Sequence, residues 1–371
     1  MTDTPLWRPD EQKLKHSPWM AFAALAGERA GRSLADPLAL HDWSITDRGG
    51  FWSAVWDYCG VRGKKGERII DNADAMPGAR FFPDAELNFA ENLLSRTGTE
   101  PALLFRAEDK IRRSMTWDEL RAMVSRLQQA FRAHGVGKGD RIAAMMPNMP
   151  ETVACMLAAA SIGAIWSSCS PDFGVKGVLD RFGQIEPKLF ISCDGYWYNG
   201  KRQEVAAKLT EIAAALRPGA TIIVPMLDNA AAVAAAVPAV TLDAFISGYS
   251  VRPIEFEPLP FAHPLYILFS SGTTGIPKCI VHSAGGTLLQ HFKEHRLHCG
   301  LEPGERLFYF TTCGWMMWNW LVSGLAVGAT LCLYDGSPFH PDGNVIFDYA
   351  AEERFAVLGT SAKFIDAGRK G

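Results

Sequence analysis

The chain has 371 residues, of which 48% are hydrophobic, 21% charged and 11% aromatic, a globular balance that excludes disordered, collagen-like and low-complexity chains. The net charge is −3, so no basic field attracts nucleic acid. The eight cysteines include no C-x-x-C pair, which argues against a zinc site and a disulfide framework and for reduced thiols in a cytoplasmic protein. We expect neither a secretion signal nor a membrane helix, because no apolar run reaches roughly 20 residues.

The pattern along the chain predicts an α/β fold. Residues 1–37 should form short surface helices, and Phe51, Trp52 and Trp56 recur at the spacing of a helix packed on a core. Further on, strands are predicted at 102–105, 141–146, 164–168, 189–193, 221–224, 266–269 and 279–282, and helices at 116–134, 150–163, 175–185 and 203–216. Thr116 and Glu119 have capping-box spacing. This alternation indicates parallel sheet with helices on both faces.

A loop rich in glycine and hydroxyl residues lies between the last two predicted strands. It consists of Ser270, Ser271, Gly272, Thr273, Thr274, Gly275, Ile276, Pro277 and Lys278. Small residues let such a loop wrap a ligand closely, and its backbone N–H groups, hydroxyls and lysine suit a triphosphate. The loop is not a Walker A motif, because the glycine spacing differs and a strand follows it. A plain turn is the alternative interpretation.

The loop resembles the phosphate-binding signature of the adenylate-forming superfamily. Other segments resemble that superfamily and its acetyl- and acetoacetyl-CoA synthetase branch, namely Phe51-Trp52, Val55 to Tyr58, Phe82-Pro83, Leu87 to Leu94, Thr116 to Leu120, Gly139 to Ile142, Met146 to Asn148, Ser168 to Gly174, Asp194 to Lys201 and Gly314 to Asn319. The resemblance extends from about residue 35 to the last residue. It implies two doubly wound α/β subdomains, beginning near residues 97 and 250, with ligands in the cleft between them.

The resemblance implies an acetoacetate–CoA ligase that joins ATP, acetoacetate and coenzyme A through an acyl-adenylate. Ser270 to Lys278 would hold the ATP phosphates, with Thr273 and Lys278 as the catalytic residues. Mg²⁺ should accompany ATP, because it offsets the same negative charge. The acid could instead be acetate or butyrate, or the chain could be a non-catalytic ATP-binding module. The strand after the loop argues against an ordinary P-loop NTPase.

Two further segments acquire expected roles from the resemblance. Trp315, Met316, Met317, Trp318 and Asn319 lie where the family places the acyl-binding wall, and Asn319 is the candidate partner of the acetoacetate ketone. Core packing is the alternative for this run of Met and Trp. Lys201 and Arg202 lie where acetyl-CoA synthetases contact coenzyme A phosphates, although a solvated charge pair is equally compatible with the sequence.

Two chemical possibilities are rejected on the sequence. His291, His295 and His298 have the spacing of one helix face, but no H-E-x-x-H glutamate accompanies them, so no metal site is expected. No histidine-based dyad is readable around Cys279, and the superfamily that the chain resembles reacts through a mixed anhydride, so a buried thiol is expected.

We expect residues 1–96 to be an N-terminal extension of the acetyl/acetoacetyl-CoA synthetase type. Residues 97–371 should form an AMP-binding domain that is incomplete at its C-terminal end and lacks the family's C-terminal lid. The sequence contains no match to the segments that relatives carry beyond this point. Exposed sheet edges and apolar surface, and hence poor solubility, are therefore expected of this chain.

Overall fold

The computed structural model describes residues 8–270 and 275–369. Its N-terminal region consists of short helices and two-residue strands, which pack beside the main sheets. Their bounds are α1 Glu11–Lys15, α2 Pro18–Ala30, α3 Pro37–Thr46, α4 Arg48–Tyr58, β1 Gly63–Lys64, β2 Ile70–Asp71, β3 Arg80–Phe81, β4 Glu86–Leu87 and α5 Phe89–Leu93. The predicted aromatic helix is α4, and Trp56 on it is buried. Helices α2 and α3 begin with proline after the capping side chains of Ser17 and Asp36.

Strands and helices alternate through the middle of the chain. Their bounds are β5 Pro101–Ala107, β6 Ile111–Thr116, α6 Trp117–Ala133, β7 Arg141–Met145, α7 Pro150–Ser161, β8 Ile165–Cys169, α8 Val175–Phe182, β9 Leu189–Cys193, β10 Tyr196–Tyr198, β11 Lys201–Gln203, α9 Ala206–Leu216, β12 Ala220–Val224, α10 Ala230–Ala236, β13 Val240–Thr241 and α11 Leu242–Ile246. The capping box of Thr116 and Glu119 is present at the start of α6.

The remaining described elements return the chain to both sheets. Their bounds are β14 Leu259–Pro260, β15 Pro264–Phe269, β16 Cys279–Ser283, α12 Ala284–Lys293, a π-helical turn Glu294–His298, β17 Arg306–Tyr309, α13 Met316–Ser323, a 3₁₀ turn Gly324–Val327, β18 Thr330–Asp335, α14 Val345–Glu353, β19 Val357–Gly359 and α15 Ala362–Arg369. None of the helices described is long and apolar enough to cross a bilayer.

Two sheets organise the molecule. A seven-stranded sheet has the order β13-β12-β9-β7-β8-β15-β16, and a five-stranded sheet has the order β19-β17-β18-β5-β6. The strands are parallel except β16 and β6. Strand β16 pairs antiparallel with β15 at one edge of the seven-stranded sheet, and β6 pairs antiparallel with β5 at one edge of the five-stranded sheet. Every residue of α7, which packs against β8 of the seven-stranded sheet, is buried. This is expected where helices cover a parallel sheet.

The expected boundaries of the subdomains, near residues 97 and 250, are wrong. Strands β5 and β6 belong to the later sheet, whereas β15 and β16 complete the earlier one. The chain therefore crosses between the sheets twice. Local hydrophobic patterns could not reveal this, because they predict a strand without identifying its partner. Strand β6, which the sequence analysis did not predict, has three exposed residues in its centre and thus lacks the apolar run used to find strands.

Candidate functional site

Loops from both sheets meet at the carboxyl edge of the seven-stranded sheet. Ser168 Oγ donates a hydrogen bond to the carbonyl of Cys313 at 2.7 Å. The Trp318 indole donates to the side-chain Oδ1 of Asn148 at 2.9 Å, and the backbone N–H of Asn148 donates to Asp335 Oδ1 at 3.0 Å. These bonds join the ends of β7 and β8 to the segments after β17 and β18. Ligands of open α/β sheets bind in crevices of this kind.

The glycine-rich loop leaves β15 at this edge and returns through β16. Its neck is closed by two bonds, from the Ser270 amide to the Lys278 carbonyl at 3.0 Å and from the Lys278 amide to Ser270 Oγ at 3.2 Å. Gly275 has φ +113°, which favours glycine. Lys278 is exposed, and no carboxylate pairs with it in residues 8–270 and 275–369. The candidates Ser271, Gly272, Thr273 and Thr274 lie outside the described residues.

The five candidate acyl residues do not share one face. Trp315 and Met316 are 65% and 40% exposed, whereas Trp318 is fully buried and bonded to Asn148. Met317 is partly buried against the core. Because Met316 begins α13, successive side chains point about 100° apart around the helix. The run therefore divides between the surface and the core.

Asn319 is the buried amide of this segment. The residue is 1% exposed, and its Nδ2 donates to the Trp315 carbonyl at 3.4 Å. Its Oδ1 has no hydrogen-bond partner among the described residues. Within the described part of the chain, one N–H and the carbonyl oxygen of this amide thus remain without a partner, which is uncommon for a buried polar side chain.

A cavity of about 340 Å³ lies between α12 and α13 and extends to β16. It is lined by His282, Ser283, Gly286, Thr287, Gln290, His291, Glu294, Met316 and Trp320. Glu294 holds one wall together, because its two oxygens accept from Gln290 Nε2 and from the Trp320 indole, each at 2.7 Å. Met316 is the lining residue that belongs to the candidate acyl segment.

Two of the three histidines of the predicted helix face, His291 and His295, are buried and have separate hydrogen-bond partners. His291 Nδ1 contacts Ser323 Oγ at 2.7 Å, and His295 Nε2 contacts the Trp320 carbonyl at 2.8 Å. Burial lowers the pKa of His291 to about 3 and that of His295 to about 4, so both rings are neutral near pH 7. His298 is exposed. Their contacts are those of core and surface histidines.

Lys201 and Arg202 lie on a β-hairpin with a two-residue turn, which sequence analysis did not predict. Strand β10 pairs antiparallel with β11 through an Asn199-Gly200 turn, and this dipeptide was the available signal for it. Both cations are exposed. Arg202 reaches the Leu227 carbonyl at 3.3 Å. The hairpin follows β9 and therefore lies at the same edge as the glycine-rich loop.

The expectation of a buried Cys279 thiol is wrong. The residue is exposed because β16 is an edge strand with solvent on one side. Its Sγ contacts Gln184 Oε1 at 3.8 Å, and partial desolvation raises the pKa of the thiol. A raised pKa disfavours the thiolate that a nucleophile needs.

Two acidic residues at this edge escaped sequence analysis. Burial raises the pKa of Asp335 to about 7. Glu108 has a fully buried side chain, and its oxygens lie within 4.8 Å of ligand atoms of Asp109 and His340. Glu108 already accepts three backbone hydrogen bonds, and Lys110 pairs with Asp109, which favours a structural role over a metal site. No single-sequence pattern marks either residue, because their burial arises from packing between sheets.

Comparison with known proteins agrees with this architecture. The family model described as AMP-binding enzyme matches residues 90–367, and the one described as acetyl-coenzyme A synthetase N-terminus matches residues 38–93. The chain is 69% identical to the acetoacetyl-coenzyme A synthetase of Rhizobium meliloti (strain 1021), covering all of this chain and 57% of that protein. It is 43% identical to the acetoacetyl-CoA synthetase of Mus musculus, covering 97% of this chain and 55% of that protein.

A solved structure of acetoacetyl-CoA synthetase from Streptomyces lividans is similar throughout. The TM-score is 0.91 at 41% identity, and the match covers 99% of this chain and 57% of that structure. The chain thus spans little more than half the length of the relatives it matches. Because the AMP-binding match covers most of the sequence, the chain belongs to the AMP-binding enzyme family.

Proposed function

We propose that this chain is part of an acetoacetate–CoA ligase, which converts ATP, acetoacetate and coenzyme A to acetoacetyl-CoA, AMP and diphosphate through an acyl-adenylate. The observation that carries the proposal is the glycine-rich loop at the meeting edge of two sheets, in a chain 69% identical over its whole length to an acetoacetyl-coenzyme A synthetase. ATP would enter with Mg²⁺ as part of the substrate. Eight free cysteines, five of them buried, support a cytoplasmic location.

The chemistry would rest on positioning and electrostatics. Attack of the acetoacetate carboxylate on the α-phosphorus releases diphosphate, and negative charge accumulates on the leaving group. Lys278 is an exposed cation at the end of the phosphate loop, where it would offset that charge. Ser270 Oγ and the loop amides would supply hydrogen bonds. The carboxyl edge would thus bind the two reactants in one orientation.

Lys278→Ala should lower acetoacetate-dependent ATP–diphosphate exchange by about 10²-fold or more, because a preorganised cation is lost from the transition state. The measurement uses the full gene product. Lys176→Ala is the matched control, since Lys176 is an exposed lysine that pairs with Asp180 on α8. Equal exchange rates in the two variants would contradict the role of Lys278.

Asn319→Leu tests recognition of the ketone. The substitution keeps the approximate volume of the side chain but removes the amide N–H that has no partner among residues 8–270 and 275–369, so the preference for acetoacetate over butyrate should fall by about ten-fold. The ratio of kcat/KM for the two acids measures this. An unchanged ratio would reject Asn319 as the ketone partner and leave the ligase proposal standing.

A further inference from the structure

The tip of the basic hairpin is bound by another part of the molecule. Asn199 and Gly200 have φ of 52° and 73°, the left-handed values of a two-residue hairpin turn. The two turn amides donate to Glu108, Asn199 N to Oε1 at 2.6 Å and Gly200 N to Oε2 at 2.8 Å. The hairpin that carries Lys201 and Arg202 is therefore anchored at its turn.

Glu108 belongs to the other sheet. It lies in the turn between β5 and β6, and its Oε1 also accepts from the Ser337 amide, after β18, at 2.8 Å. Its side chain is 0% exposed, and the nearest basic side chain among the ion pairs of the described residues is His340, with Nε2 at 3.9 Å. Such a carboxylate is tolerated in the interior only because three backbone donors surround it. These bonds hold the hairpin after β9 against the five-stranded sheet.

Neighbouring contacts restrict the hairpin further. Lys110 Nζ lies 5.7 Å from the centre of the Trp197 ring. This cation–π arrangement joins the β5–β6 turn to strand β10 of the hairpin. A Cβ atom on Gly200 would lie 2.6 Å from the His340 ring, so a side chain at this position does not fit. Lys201 and Arg202 remain exposed beside this fixed tip.

We infer that Glu108 is a positioning residue for coenzyme A: it fixes the hairpin so that Lys201 and Arg202 face the phosphates of the incoming thiol substrate. The inference rests on the proposed ligase function and on the proposed phosphate contacts of these two cations. Glu108 does not touch the substrate in this account. It acts through the backbone amides of the turn, and a displaced turn would spread the two cations over several orientations.

Glu108→Gln tests the inference, because the amide places an N–H group against backbone donors that need an acceptor. In the full gene product the KM for coenzyme A should rise by about ten-fold, while acetoacetate-dependent ATP–diphosphate exchange, which needs no coenzyme A, changes by less than about two-fold. Amides of residues 196–203 should also exchange with deuterium faster than in the parent protein.

Glu151→Gln is the matched control. Glu151 is a buried carboxylate that pairs with Arg113 on β6 at 2.7 Å, so its loss perturbs the same strand pair without touching the hairpin. This variant should keep the parent KM for coenzyme A and the parent deuterium exchange of the hairpin. A general loss of stability, in contrast, would affect both variants alike.

The variants Lys201→Ala and Arg202→Ala separate the possible failures. If they raise the KM for coenzyme A and Glu108→Gln does not, the positioning role is wrong. If they leave that KM unchanged, Lys201 and Arg202 do not bind the phosphates of coenzyme A, and the inference about Glu108 is wrong as well. A parent protein without exchange activity would instead reject the ligase function. Should Glu108→Gln not fold, Gly200→Ala displaces the same tip and should raise the KM; an unchanged KM there also overturns the inference.

Discussion

At the scale of single residues, Asp335 shows how packing creates chemistry that composition does not reveal. It ends β18, and its Oδ1 accepts a hydrogen bond from the backbone N–H of Asn148. The pKa of its carboxyl group is raised from 3.8 to about 7, mainly by desolvation and also by the charges of Asp172 and Glu108, while the hydrogen bond from the Asn148 backbone opposes the shift. The group thus titrates near neutral pH at the edge where both sheets meet.

Asp335→Asn should make stability less sensitive to a rise in pH from 3.8 to about 7. A carboxyl group with a raised folded-state pKa stabilises the fold fully below pH 3.8 and loses that contribution as pH rises through about 7. At pH 8 the variant should therefore be more stable relative to the parent than at pH 5, by about 2 kcal/mol, a value discounted because the residue keeps some solvent contact. Urea unfolding at both pH values measures this, and an equal difference at both would contradict the raised pKa.

Residues of the site differ in how far the sequence could predict them. The glycine-rich loop could be predicted because its small and hydroxyl residues form a contiguous run, and the Asn199-Gly200 turn carried a usable signal. Glu108 and Asp335 lie 227 positions apart, and contact between their segments depends on the pairing of β5 with β18. Nothing local in the sequence encodes that pairing, so no pattern along one segment could identify these two residues.

At the scale of elements, the strands and helices between residues 101 and 224 agree with their predictions to within a few residues. Continuous apolar strands and capped amphipathic helices such as α6 explain this agreement. The failures have physical reasons as well. Strand β6 has a polar centre and is stabilised by its partner β5, and β10 and β11 are three residues long, too short for periodicity to register.

Edge strand β16 leads to a prediction about association. Ile280 and Val281 on it are 46% and 55% exposed, and an exposed apolar edge is a template for pairing with another chain. The polypeptide of residues 1–371 should therefore self-associate with rising concentration, and Val281→Lys should reduce that association. Sedimentation velocity over a concentration series measures this.

The control for this experiment is Val251→Lys. Val251 has a similar exposure of 53% but lies in an irregular segment outside the sheets. It should leave self-association as in the parent chain. Equal effects of the two lysines would show that added charge, rather than the sheet edge, governs association.

At the scale of the whole molecule, the N-terminal region and the seven-stranded sheet form one packed unit. One apolar cluster extends from Phe22 in α2 to Leu333 in β18, and a second, smaller cluster includes Phe308, Tyr349 and Phe364. Asn88 joins three segments within the first cluster. Its Oδ1 caps α5 by accepting from the Ala90 amide at 2.9 Å, and its Nδ2 donates to the carbonyls of Ala160, Ser161 and Glu257 at 3.1, 3.1 and 2.9 Å.

Asn88→Ala should lower the free energy of unfolding by about 3 kcal/mol, because it removes a helix cap and leaves buried carbonyls without a donor. The transition should remain single, since the segments that Asn88 joins share one apolar cluster. Asn344→Ala is the matched control, because Asn344 precedes α14 without a side-chain capping bond. Similar losses of stability in both variants, measured by denaturant unfolding, would contradict the joining role of Asn88.

The proposed acetoacetate-activating site is tested by the partial reaction that it would carry out. Exchange of labelled diphosphate into ATP is followed in the full gene product with acetoacetate, acetate, butyrate or no acid. We expect exchange that depends on acetoacetate and that is faster than with either other acid. Tight ATP binding without exchange for any of these acids would contradict it and favour a non-catalytic nucleotide-binding module.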